Sequence, residues 1–150
     1  MTTRQEPPSR GFADPRGSPL TSPRGATRAA AVLYVLLGLG FGIGGAWATE
    51  HFRRAGELPM TPWGFRALAG PFETVGAGRF IALGWSLVVV CALDVLAGRW
   101  LWQGRRRGAA LGLATTPAAF VLGAGFALPF LLIGLPIRVA LILIGRRSLS

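Results

Sequence analysis

The chain has 150 residues, of which 51% are apolar and 15% charged, whereas soluble domains carry about a quarter charged residues. All 16 basic residues are arginine, against six acids, one histidine and one cysteine, for a net charge of +10. With only Cys91 and His51 available, a disulfide-stapled domain, a CxxC redox protein and a Cys- or His-built metal centre are excluded. Long apolar runs fill the last 120 residues and exclude a chain that is disordered throughout. What remains is a small, basic, all-α integral membrane protein: a transmembrane helical bundle.

Residues 1–28 are rich in Pro, Gly, Ser and Arg, and only Phe12 and Leu20 offer bulky apolar surface. Such a segment buries too little apolar area to offset its ordering entropy, so the sequence predicts a disordered, arginine-rich tail. Ala29–Thr49 then runs for 21 residues without a charge, enough at about 1.5 Å per residue to cross a hydrocarbon layer of about 30 Å. Residues 50–79 carry four arginines, three glutamates and His51 and read as a loop. A second span covers 80–102, interrupted by Asp94, and ends in the basic stretch Arg99–Arg107. Residues 108–145 hold a single charge, Arg138. As one helix they would reach about 57 Å, so two spans over 108–126 and 128–145 fit better. The turn falls near 123–129, with Gly125 supplying irregular backbone and Pro129 opening the next helix.

The domain reading is therefore a tail (1–28) and a four-span domain (29–150), with three spans as the alternative. Arginine placement favours four. Short loops rich in basic residues stay in the cytoplasm, and four spans put the tail, the 99–107 loop, Arg146 and Arg147 on one side. That leaves Arg53, Arg54, Arg66 and Arg79 outside. The expected location is the plasma membrane, multi-pass, with both termini cytoplasmic. Trp47 and Trp85 then lie near the outer surface and Trp100 and Trp102 near the inner one, where amphipathic rings prefer to sit. The competing reading of the first span is a signal peptide, with Ala46-Trp47-Ala48 as the cleavage site. Its apolar core exceeds the usual 7–15 residues.

Within the first span, Gly40, Gly42 and Gly45 match the GxGxxG string of dinucleotide-binding folds, but the strand-to-helix turn that fingerprint needs is missing. The same stretch gives the helix-packing pairs Gly38/Gly42 and Gly40/Gly44, and the third span gives Gly108/Gly112. Small residues four apart let another helix backbone approach closely. Packing within the chain takes precedence, and homodimerisation is the alternative.

Asp94 and Arg138 are the candidate intramembrane charge pair. A charge at membrane depth costs about 2.5–3.5 kcal/mol on insertion scales and usually has a partner or a purpose. Arg138 lies eight residues before Arg146, about 12 Å deep, and Asp94 eleven before Arg105, about 16 Å. Three readings stay open: both side chains reach water by snorkelling or helix ending, they form a structural pair, or they serve a proton or ion relay. Pro117, after Thr115 and Thr116, and Pro136 read as tolerated membrane prolines or as kinks that open a gate.

In the outer loop, Thr61 before Pro62 suggests a helix start, with Trp63, Phe65 and Leu68 resting on headgroups. Glu50, His51 and Glu57 lack a fourth ligand and fixed geometry, so no metal or other cofactor is expected. Arg105, Arg106 and Arg107 anchor the cytoplasmic end on anionic lipid. The spread of positive charge without a recognised module argues against nucleic acid.

The passage Leu96-Ala-Gly-Arg-Trp-Leu-Trp-Gln-Gly-Arg-Arg-Arg-Gly108, joining an apolar span to a Gly/Ala-rich one, resembles small four-span membrane proteins of high-GC bacteria. The resemblance covers the second half of the chain and implies a location and a fold class, with no activity attached. The small multidrug exporters are similar in size but rely on a glutamate in the first span, and residues 29–49 have no acid. The quinone-linked thiol oxidases require cysteine pairs. No nucleophile–base pair, paired-carboxylate site or phosphate loop is present. The expectation is a non-enzymatic accessory or structural component acting by helix packing, with the bilayer and its anionic inner leaflet, and a membrane-protein partner or a second copy, as partners. The alternative is a small transporter or channel using Asp94 and Arg138.

Overall fold

The computed structural model describes residues 23–62 and 64–145, and these fold into four α-helices joined by short turns and one longer loop. Helix α1 spans Pro23–Ala55, α2 Ala77–Trp102, α3 Arg106–Gly125 and α4 Pro129–Gly145. Among the described residues there is no β-strand, only an isolated bridge between Met60 and Arg66. The first three helices are long and apolar enough to cross a membrane, while α4 is apolar but only 17 residues long.

Helix α1 begins earlier than its composition suggests. Pro23 to Arg28, placed in the tail by sequence, form its first turns. Ala26 and Thr27 are buried there, and Thr27 Oγ1 donates to the Gly145 carbonyl at 3.3 Å. Contact with α4 offsets the ordering cost that made this stretch look disordered. The expected disorder of residues 1–22 lies outside the described residues. At its other end α1 runs on to Ala55, six residues past the uncharged run. Glu50 pairs there with Arg53 and Arg54 at 2.7 and 2.6 Å, one helical turn apart, a spacing that supports exposed helix ends. Gly56, at φ 74°, follows the last turn, and the loop expected over 50–79 shrinks to 56–76.

Thr61 does not start a helix. It closes a small turn instead: its backbone N–H and its hydroxyl both donate to the Phe65 carbonyl, at 2.8 and 2.9 Å. Gly64, at φ 83°, supplies the left-handed backbone the turn requires. Phe65 is exposed, but Leu68 is buried against the helices rather than on a headgroup surface; the expectation for Trp63 lies outside the described residues. A short 3₁₀ helix, Pro71–Val75, then lays Phe72 edge-on against Phe126, with ring centroids 5.2 Å apart.

The two tight turns share one solution. After α2, Gly104 takes φ 73°, the Arg105 N–H donates to the Trp100 carbonyl and the Gly104 N–H to Leu101. After α3, Ala127 takes φ 48°, the Leu128 N–H donates to Gly123 and the Ala127 N–H to Ala124. Both are Schellman caps, which satisfy the last carbonyls of a helix through a left-handed residue. The sequence points to Gly125 for this role. The structure gives it to Ala127, and Gly125 is needed for space: a Cβ there would lie 1.9 Å from the Phe72 ring.

The helices pack antiparallel in chain order, and α1 closes the set against α4. Buried residues form one stripe on each. On α2 it runs Phe80, Gly84, Leu87, Cys91, Asp94, Ala97, Leu101; on α3 Gly108, Gly112, Thr115, Ala119, Leu122; on α4 Leu131, Leu135, Arg138, Ile142. Steps of three and four keep one face inward along an antiparallel neighbour.

Two substitutions test this account by thermal unfolding in detergent, followed by circular dichroism. Ala127→Gly relieves a left-handed alanine and should stabilise by about 1 kcal/mol. Gly125→Ala forces Phe72 off the α3 end and should destabilise by about 1–3 kcal/mol.

Candidate functional site

Each helix contributes one buried polar or charged residue to a common layer. Asp94 stands midway along the α2 stripe, between Cys91 and Ala97, and Arg138 stands on the α4 stripe between Leu135 and Ile142. Arg138 Nη1 donates to Asp94 Oδ2 at 2.5 Å, and the two side chains are 0% and 2% exposed. Neither side chain reaches the surface, so the snorkelling arrangement is not the one adopted.

Two further residues complete the layer. Thr115 on α3 donates its hydroxyl to Asp94 Oδ1 at 2.7 Å and also lies 3.1 Å from the Gly112 carbonyl, while Thr116 donates to that same carbonyl at 2.7 Å. Both hydroxyls thus face backbone one turn back, in the segment that contains Pro117. On α1, Tyr34 turns its ring face to Arg138, with the guanidinium carbon 4.4 Å from the ring centroid. A cation over an aromatic face in a desolvated site gains about 2 kcal/mol. Tyr34 Oη faces Thr116 without a well-formed hydrogen bond, and Arg138 Nε and Nη2 have no hydrogen-bond partner among the described residues.

Glycines set how closely these groups approach. A Cβ on Gly112 would lie 2.6 Å from Tyr34 Oη, so the tyrosine ring rests on bare α3 backbone. A Cβ on Gly108 would lie 2.6 Å from the Leu101 backbone, which brings the start of α3 against the end of α2. On α1, Gly38 faces Cys91 and Val95, and Gly42 faces Cys91. Gly40 and Gly44, in contrast, have nothing within 4 Å of an added Cβ and lie on the outer face.

The layer is enclosed by apolar groups on both sides. Toward the loop end lie Leu87, Cys91, Leu122, Phe126 and Leu131; toward the other end lie Ala30, Ala97, Leu101 and Ile142. Pro117 and Pro136 are exposed, and α3 and α4 run on through them without a break. Among the described residues no three His, Cys, Asp or Glu side chains converge on a metal-sized site. Glu50 is taken by its two arginines, and the His51 ring sits 6.1 Å from that of Trp47.

Comparison with known proteins finds no matching family model, no similar curated protein and no similar solved structure.

The geometry separates charge from aromatic contributions. Asp94→Asn or Arg138→Gln leaves one buried charge without its partner and should destabilise by about 3–5 kcal/mol, whereas Asp94→Leu combined with Arg138→Met should cost less than either single change. Tyr34→Phe keeps the ring face and should be close to neutral, while Tyr34→Leu should lose about 2 kcal/mol. Detergent unfolding of the five variants, measured side by side, checks both expectations.

Proposed function

We propose that this chain is a non-catalytic integral membrane protein, a four-helix transmembrane bundle that acts by helix packing as an accessory or structural component of the plasma membrane. The observation that carries the reading is the placement of Asp94 and Arg138. These two charges in the apolar middle of the described helices are committed to each other, to Thr115 and to the Tyr34 ring. Apolar clusters lie against the pair toward both ends. A relay needs a charged group that faces a path; this pair faces its own helices.

Four crossings are supported by the way the ends meet. The first turn of α1 lies beside the last turn of α4, which suits an even number of crossings, and α4, at about 26 Å, is close to the shortest helix that spans. The arginine distribution then places both termini in the cytoplasm. The bilayer, with its anionic inner leaflet, is the first partner. The open Gly40–Gly44 strip on α1 is where a membrane-protein partner or a second copy would seat a helix.

Reporters fused after residue 150 test the topology: one active only in the cytoplasm should work, and one active only outside should not. Purified protein in liposomes should conduct protons and small ions no faster than empty vesicles. A proton flux that Asp94→Asn abolishes would replace this reading with a transporter.

A further inference from the structure

Between α1 and α2, at the end where α1 begins and α2 finishes, lies a groove of about 500 Å³. Its floor is the helix crossing at Gly98, where an added Cβ would lie 2.9 Å from the Ala31 carbonyl and from Val35. Val32, Val35 and Leu36 form one wall, Trp102 forms the other, and Arg99 and Gln103 stand at the mouth. Arg28 closes the mouth from the α1 side, its guanidinium carbon 5.8 Å from the centre of the Trp102 ring.

The groove is apolar in depth and cationic at one end. From Arg28 to Leu36 it follows α1 for eight residues, about 12 Å, against about 15 Å for one leaflet of hydrocarbon. Arg28 and Arg99 are exposed, and no carboxylate pairs with either among the described residues. No acid occurs in 23–49 or 95–125, so the described residues around the groove supply no counter-charge. Guanidinium forks match phosphate oxygens in pairs, and basic pockets between membrane helices bind lipid headgroups.

We propose that this groove is a binding site for one anionic phospholipid, with an acyl chain along Val32, Val35 and Leu36 and the headgroup phosphate between Arg28 and Arg99. The proposal rests on the membrane reading above and adds a defined ligand class to it. Trp102 is the reporter built into the wall, and Arg28 held over its ring keeps the charge at the level of the phosphate.

The test uses the full chain in nanodiscs of phosphatidylcholine doped with phosphatidylglycerol, with bromine on the acyl chains of one lipid or the other. The Trp102 signal is the fluorescence difference between the wild type and Trp102→Phe. Brominated phosphatidylglycerol should quench it with a preference over phosphatidylcholine on the order of 25-fold, about fivefold for each of two arginines. Arg28→Gln with Arg99→Gln should bring the preference to within about twofold of unity. Arg105→Gln with Arg107→Gln, at the same end but off the groove, should keep most of it. Equal quenching by both lipids, or equal loss in the two double variants, overturns the lipid site while leaving the chain in the bilayer. No quenching by either lipid overturns the membrane reading and the site together.

Discussion

The arrangement of the four helices depends on a single buried ion pair. Asp94 and Arg138 are 44 residues apart in sequence and belong to α2 and α4, helices that are not neighbours along the chain. An isolated charge away from water is costly enough that the group would neutralise or the structure would open. Bringing the two together offsets that cost only when the carboxylate and guanidinium meet directly, so the pair fixes the rotation of α2 and α4 at once. Thr115 then fixes α3 by its bond to the free carboxylate oxygen, and Tyr34 fixes α1 by lying against the guanidinium. A helix with apolar residues on every side has little else to tell it which face to turn inward. Here one polar residue per helix answers that question.

The apolar layers around the pair work by closeness rather than bulk. Where lipid tails are as apolar as leucine, helices gain little from burying leucine and more from fitting tightly. Gly84, Gly98, Gly108 and Gly112 each stand where an added Cβ would collide with a neighbouring helix. The larger rings gather near the loop end instead, where Phe52, Phe80, Phe126 and Phe72 meet in a chain of tilted and edge-to-face contacts. The loop over 56–76 covers that end with Leu58 and Leu68.

The helices were largely legible in the sequence because uncharged runs of fixed rise per residue set their number and approximate ends. Asp94 and Arg138 were legible for the same reason, as charges inside those runs, at depths only about 4 Å apart. Tyr34 and Thr115 were not, because a hydroxyl in an apolar stretch carries no signal of its own; only the rotation of α1 and α3 aims them at the pair. The glycine pairs were visible as motifs, but which pair turns inward depends on that same rotation. It put Gly38 and Gly42 against α2 and left Gly40 and Gly44 outside. The loop was the least legible part. Thr61-Pro62 carries the chemistry of a helix start, yet Gly64 two residues on allows a tighter turn that frees Leu68 to be buried. Ala127 in a left-handed cap was hidden because alanine gives no hint of positive φ.

The long sequence separation of the ion pair has a consequence for synthesis of the chain. Helix α2 is made well before α4, so Asp94 arrives first and waits without its cation. The earlier helices can shelter that carboxyl group with Thr115, but its partner is missing until Arg138 emerges. Helix α4, short and carrying a charge of its own, is poorly suited to partition alone. Docking α4 on the other helices brings that charge against its partner on α2. A chain truncated before residue 138 therefore keeps a buried carboxyl group without its partner.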